Sequence, residues 1–477
     1  MTDPAASSGR TSFDPADRGL LSPAWANPAL AGATGDDAIV AAMLELEASW
    51  AETLEAAGLA EAGSAQAVRT AVRQGTTAGT YDGGHLAQAA QGGGNPVIPL
   101  VKALRGATPD PGKSAVHKGL TSQDVLDSAL MLVAQRAVAG ILADLSPAAE
   151  ALAQLADEHR TTPQVARTLT QHSLPSSFGL KAANWLQGVA HAEARLAALD
   201  FPVQCGGAAG TNASLVALGG EPAALAADWA HRTGLDAAVA PWQSFRGSIA
   251  DLAHALAAVT AAAGHVANDV MLLARPEIAE LGEPLAEGRG GSSAMPQKQN
   301  PALSVLIRSA ALQAPAQVMQ IEVALALSED ERTGGAWHTE WPALRELLRL
   351  AGGAAASLHE LVEGLRVFPD AMRRNLELSG PLLVSERVML ELSGVAEGGR
   401  AGIQKAVDAA LAAAAQGADP ADQARVLRKE LRAVVRPDAA GEDFDARLDE
   451  LLDPANYQGD AAGIVDRVLA NYEDKRK

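Results

Sequence analysis

The stretch Gly288-Arg289-Gly290-Gly291-Ser292-Ser293-Ala294-Met295-Pro296-Gln297-Lys298-Gln299-Asn300-Pro301 gathers the groups best suited to chemistry in this chain. Glycines tolerate unusual dihedrals and leave consecutive backbone N–H groups open. Such groups, with a lysine beside them, can hold an anion, and a serine among them can lose its proton more readily than in water. The bland alternative for a Gly-Ser stretch is a surface linker.

The elements that must position this loop read as helices. Ile39, Met43, Leu46, Trp50 and Leu54 share one face of a helix expected over Asp37–Ala57, with Gly58 just past its end as a C-cap. A long helix is expected from Thr121-Ser122-Gln123-Asp124, with Thr121 or Ser122 as N-cap, and Leu126, Leu130, Val133 and Ala137 continue its face. Leu252, Leu256, Val259, Val266, Val270 and Leu273 keep a heptad-like register until Pro276, as in a bundle helix. Another helix is expected from about Ala302 to Ser328, kinked at Pro315. Strand signals are nearly absent. The sequence therefore predicts an all-α protein in three domains. Residues 1–112 form an N-terminal helical domain with a mobile arm over residues 1–18. Residues 113–355 form a central bundle of long helices that carries the Gly-Ser loop. Residues 356–477 form a small C-terminal helical domain.

Composition agrees. The chain has 477 residues, 48% hydrophobic but only 3% aromatic, so its core must be built from Leu, Val, Ile and much Ala, the best helix former. A net charge of −19 argues against nucleic acid and acidic membrane surfaces as partners. It leaves room for a small anionic substrate in a locally cationic pocket. Cys205 is the single cysteine, which excludes an intrachain disulfide and a thiolate zinc site and suggests a small buried side chain. The ten histidines show no metal-binding spacing, and the Gly92–Gly94 run lacks the Lys-Ser/Thr of a phosphate-binding loop, so no metal and no cofactor are expected. Met1–Arg10 lacks an apolar signal region, and no apolar run approaches the roughly 18 residues of a membrane span, so a cytoplasmic location is the default.

The loop pattern Gly-Ser-Ser-x-Met-Pro-x-Lys-x-Asn-Pro resembles the signature of the fumarase/aspartase/adenylosuccinate lyase superfamily. His117-Lys118-Gly119-Leu120-Thr121-Ser122-Gln123-Asp124 is similar to its Thr-Ser-x-Asp segment, and Arg167–Pro175 to its second block. Met372–Leu376 and Ser385-Glu386 resemble the C-terminal domain of its adenylosuccinate lyase branch. The resemblance implies a fumarase-like three-domain fold and a homotetramer with a 20-helix core, each active site being shared by three subunits. It implies Ser292 as general base, and Lys298 and Asn300 as the groups that hold the substrate carboxylate and its enolate-like charge. Thr121 and Ser122 would hold a second carboxylate.

Two departures narrow the resemblance. Where the lyases carry a histidine in the second block this chain has Leu169, and where they carry its glutamate partner it has Val305. Neither can transfer a proton, and losing such a relay is worth about 10²–10⁴ in rate for a poor leaving group. The 3-carboxy-cis,cis-muconate cycloisomerases resemble this chain here: they lack the relay and show a Gln-His pair, as in Gln171-His172. Asn95–Val101, Gly206–Thr211 and Gly334–Trp341 also resemble that branch. In lactone opening the leaving group is a carboxylate, which needs little protonation. The resemblance thus implies interconversion of 3-carboxy-cis,cis-muconate, a small tricarboxylate, and 4-carboxymuconolactone in aromatic catabolism, with no cofactor. A fumarate-releasing lyase such as adenylosuccinate lyase and a catalytically silent helical scaffold are the alternatives. His172 is the candidate second proton-transfer group. Gln171, His117, His338 and Arg332 are candidate substrate contacts, with His85, Gln123 and Thr168 behind them.

Overall fold

Alanine-rich segments with apolar stripes fold as helices almost throughout the computed structural model, which describes residues 20–25, 28–291, 295, 297–436 and 443–476. The helices are α1 (Pro28–Ala33), α2 (Asp36–Ala56), α3 (Ser64–Thr77), α4 (Gly83–Ala90), α5 (Val97–Ala107), α6 (Ser122–Glu158), α7 (Phe178–Ala197), α8 (Ala213–Ala217) and α9 (Pro222–Thr233). They continue with α10 (Gly247–Leu273), α11 (Ala302–Ala326), α12 (Ala336–Glu363), α13 (Pro369–Glu377), α14 (Ser385–Leu392), α15 (Gly399–Ala415) and α16 (Pro420–Val434). The last two are α17 (Phe444–Leu452) and α18 (Ala461–Arg476). The all-α, fumarase-like fold class holds.

Local signals end the helices where the sequence places them. Asp36 and Asp37 sit in the first turn of α2, where the helix dipole favours them. At its other end Gly58 takes φ 71 and the N–H of Leu59 returns to the Leu54 carbonyl at 2.8 Å, a Schellman stop. The N–H of Thr121 donates to Asp124 at 2.9 Å, which fastens the start of α6. Pro315 lies inside a helix that runs on from Ala302 to Ala326.

The near absence of strand is corrected at two places. β1 (Pro163–Thr168) and β2 (Gln171–Ser177) form an antiparallel hairpin, and β3 (Leu281–Gly282) pairs with β4 (Arg366–Val367). The hairpin turn is Leu169-Thr170, with φ of 49 and 72. Such a turn ordinarily calls for Asn or Gly, so the sequence carries no turn signal here. Tertiary contacts hold it instead. Arg167 grips buried Glu280 with both terminal nitrogens, at 2.6 and 3.2 Å, and Gln164 and Asn375 each donate to the same carboxylate at 2.7 Å.

Contacts divide the chain into two units. Unit 1 comprises Met1–Ala143, Ala194–Thr260 and Ser309–Ala356, and unit 2 comprises Asp144–Glu193, Ala261–Arg308 and Ser357–Lys477. In unit 1, Trp50 of α2 meets Trp229 of α9 with ring centroids 5.1 Å apart, and Leu46 and Leu54 of α2 and Leu100 and Leu104 of α5 are buried. Unit 1 also buries an ionic cluster. Arg246 chelates Asp127 at 2.7 and 2.9 Å, reaches Glu340 at 2.7 Å, and lies over the Trp242 ring, while Trp337 donates to Asp127 at 2.8 Å. In unit 2, Val384, Val388, Leu392, Ile403, Leu427 and Leu431 belong to one apolar core built by α14 to α17.

The expectation of no membrane-length apolar run needs amending. α6 and α10 are each long and apolar enough to span a bilayer by composition. However, 72% and 50% of their apolar windows are buried inside the protein, as in core helices.

Candidate active site

Unit 1 brings His117, Thr121, Ser122 and Arg332 to one region. His117 sits in the turn before α6 with φ 56. Its backbone N–H and its ring Nδ1 both bond to the carboxylate of Glu47 on α2, at 2.8 and 2.6 Å. Four residues on, the Thr121 hydroxyl accepts from the Arg332 guanidinium at 2.7 Å, and the same nitrogen donates to the Ala208 carbonyl at 3.2 Å. Arg332 lies in a segment ordered by Glu329, which accepts from Thr333 and Gly334, and by Ser244, which donates to the Asp330 carbonyl.

Beneath Thr121, Asp124 accepts from the backbone N–H groups of Gly206 and Gly207 at 2.9 and 3.0 Å. Burial pushes its carboxyl up to about 7, against the pull of these donors. Asp124 thus fastens the Gly206–Thr211 loop to the Thr-Ser segment. Gln123 is fully buried and donates to the Gln243 carbonyl at 2.9 Å, which makes it part of this support.

Two candidates point elsewhere. His338 does stand against Trp337 and Trp341, but its Nε2–H is taken by the Gly94 carbonyl at 2.7 Å. The neighbouring Trp337 and Glu340 serve the buried Arg246 cluster, so the Gly334–Trp341 stretch is largely structural. His85 is an exposed residue in the first turn of α4, beside the capping Asp82.

Unit 2 carries the other candidates. Ser292 lies outside the described residues. The ends of its loop are zipped together: Gly291 bridges Gln299, and the N–H of Asn300 donates to the Gly290 carbonyl at 2.8 Å. Gly290 has φ 67, and a Cβ there would meet the Asn300 carbonyl at 2.5 Å, so only glycine fits. Lys298 is exposed beyond this neck, and Asn300 is exposed at the neck itself. The start of α11, just after the signature, is not free to bind an anion. The carboxylate of Glu283 takes the N–H groups of Leu303 and Ser304 at 3.1 and 2.7 Å. Beside the neck opens a cleft of about 180 Å³, lined in part by Arg289, Asn300, Arg366 and Phe368.

On the hairpin, Thr168 pairs with Gln171 and both are exposed. Gln171 and His172 are neighbours on a strand, so they face opposite sides and do not act as a pair. His172 is half-buried, and its Nδ1 meets the Ser379 hydroxyl at 2.8 Å. Burial and then the charge of Arg167 lower its pKa, with Glu280 opposing, so the ring is neutral near pH 7. Leu169 is 96% exposed and Val305 48% exposed, so both apolar replacements of the relay are open to solvent.

Comparison with known proteins bears on this arrangement. A family described as "Lyase" matches residues 25–316, and "Adenylosuccinate lyase C-terminus" matches residues 381–468. The chain belongs to the fumarase/adenylosuccinate lyase superfamily. Among its relatives, the nitrosuccinate lyase of Streptomyces davaonensis is 45% identical over 95% of this chain and 94% of its own length. The 3-carboxy-cis,cis-muconate cycloisomerase of Bradyrhizobium diazoefficiens is 37% identical over 95% and 98%. The crystal structure of the 3-carboxy-cis,cis-muconate lactonizing enzyme from Pseudomonas putida superposes with a TM-score of 0.86 at 31% identity, over 96% of this chain and all of that one.

Sequence reasoning missed Glu47, Asp124 and Ser379 as partners of site residues in this superfamily member. Glu47 had a legible signal. It falls between Met43 and Trp50 on the apolar face of α2, where an acid must find a partner. Ser379 had none, because it meets His172 across 207 residues of sequence.

Proposed function

We propose that this lyase-family enzyme makes and breaks a bond next to a carboxylate-stabilised carbanion in a small polycarboxylate whose leaving group is a weak base. The observation that carries it is Leu169 together with Val305: both are open side chains, and neither can protonate a departing group. The first reading is 3-carboxy-cis,cis-muconate cycloisomerase, supported by the cycloisomerase relatives and the 0.86 TM-score. In closure, one substrate carboxylate adds to a diene carbon. The electron pair moves onto the carbon next to another carboxylate, and that carbon takes a proton from Ser292. Opening runs the same steps backwards, with Ser292 as base. Lys298 and Asn300 hold the extra charge of the intermediate, and Thr121, Ser122 and Arg332 hold a carboxylate.

The second reading is elimination of nitrite from nitrosuccinate, favoured by the 45% identity to a nitrosuccinate lyase. Removal of the C3 proton and loss of nitrite from C2 would leave fumarate. Nitrite, like a carboxylate, departs without an acid relay.

The working form is a cytoplasmic homotetramer in which residues 1–112, 113–355 and 356–477 are the three domains. Leu312, Met319 and Val323 support the oligomer: they form one exposed apolar face of α11 that a neighbouring helix would cover.

Two assays on the purified protein decide. Loss of diene absorbance with 3-carboxy-cis,cis-muconate supports the first reading, and nitrite release from nitrosuccinate supports the second. Turnover of adenylosuccinate with neither of these would sink both.

A further inference from the structure

We propose that Glu47 is a positioning residue that fixes one tautomer of His117 and aims its Nε2 at the substrate; this rests on the functional reading above in taking His117 as a substrate contact. Glu47 is fully buried on the apolar face of α2. A carboxylate there is costly unless its oxygens are bonded. Both are bonded to a single residue: Oε2 accepts from the His117 backbone N–H at 2.8 Å, and Oε1 faces ring Nδ1 at 2.6 Å.

A carboxylate oxygen only accepts, so Nδ1 carries a proton, and in the neutral ring the lone pair then lies on Nε2. Nε2 has no hydrogen-bond partner among the described residues. The backbone of His117 is left-handed, at φ 56, a conformation that non-glycine residues hold only where the surroundings enforce it. One carboxylate thereby sets both the position and the rotation of the ring.

A simpler role, anchoring the 112–120 segment on α2, is already filled. Trp50 donates to the Lys118 carbonyl at 2.9 Å, and the Lys118 ammonium reaches the Leu59 carbonyl at 2.7 Å. The bond to Nδ1 is a further tie to α2, and it also fixes the rotation of the ring.

Glutamine at position 47 puts an NH2 where one of the two carboxylate oxygens stood, and that NH2 cannot accept from the donor it faces. Glu47→Gln should therefore lower kcat by about 10–100-fold, the usual effect of losing an orienting partner, with KM changed by less than about threefold. Glu47→Asp keeps a carboxylate and should recover part of the loss. The decisive variant is Glu47→Gln/His117→Asn. It should be no slower than His117→Asn alone, because Glu47 acts through the ring. Full kcat in Glu47→Gln, or losses that multiply in the double variant, would overturn the proposal.

A second measurement needs no substrate and no Glu47 variant. In the nitrogen spectrum of histidine-labelled wild-type protein, with His117 identified by its loss in His117→Asn, the ring should show the Nδ1–H form. An Nε2–H form would overturn the proposal. Wild-type inactivity on both candidate substrates would sink the functional reading alone, and the spectrum would still decide the tautomer.

Discussion

His117 and His172 are each held through Nδ1, yet their partners differ: a buried carboxylate in unit 1 and a hydroxyl in unit 2. A carboxylate accepts and nothing else, so it dictates where the ring proton sits. A hydroxyl donates or accepts, so His172 can present either a proton or a lone pair at Nε2. The same contrast runs through the surrounding groups. In unit 1, Thr121, Asp124 and Arg332 have defined hydrogen-bond partners, with donors and acceptors matched. In unit 2, Leu169, Gln171, Lys298 and Asn300 are exposed. The lesson is a division of labour. Unit 1 holds its candidate groups in a hydrogen-bonded arrangement, and unit 2 leaves most of its candidates open to solvent.

The comparison can be broken at its most rigid point. Arg246→Met leaves Asp127 and Glu340 buried without their cation, and should cost about 3–5 kcal/mol in urea unfolding. A loss below about 1 kcal/mol would mean that unit 1 is not stiffened by this cluster. On the other side, Ser292→Ala should lower turnover by at least about 10², the scale for losing a positioned proton-transfer group, with little change in unfolding. Near-full rates would remove Ser292 from the mechanism.

The next effect is a pH dependence. The folded-state pKa of Asp124 is raised above its ordinary value of 3.8 to about 7, so the folded protein binds more protons than the unfolded chain between those values. Stability should therefore fall as pH rises through this window, by up to about 1.4 kcal/mol per pH unit from this group. Unfolding measured at intervals from pH 4.5 to 7.5 should show that slope in wild type and its loss in Asp124→Asn, even if the variant is less stable throughout. The smallest effect is expected at Ser379→Ala. It removes one neutral hydrogen bond from His172, worth about 1 kcal/mol, and should slow turnover about fivefold. An equal loss in a His172→Gln background would show that Ser379 does not act through the ring.

What the sequence determined alone was local or signature-borne. The helices α2, α6, α10 and α11 follow from apolar spacing and end signals, which depend on neighbours three or four residues away. The family followed from the Gly-Ser loop, because its glycines and polar groups occur in a fixed order. What only the tertiary structure decided involves groups far apart in the chain. The β1–β2 hairpin exists because Glu280 grips Arg167 across 113 residues, which overrides the missing turn signal. The roles of His117 and His338 were set the same way. Each histidine needs a partner for its ring nitrogen, and no local rule says that one finds the Glu47 carboxylate and the other the Gly94 carbonyl. The partners of side-chain nitrogens are set by the folded whole, which is why it made one histidine a candidate contact and tied the other to a backbone carbonyl.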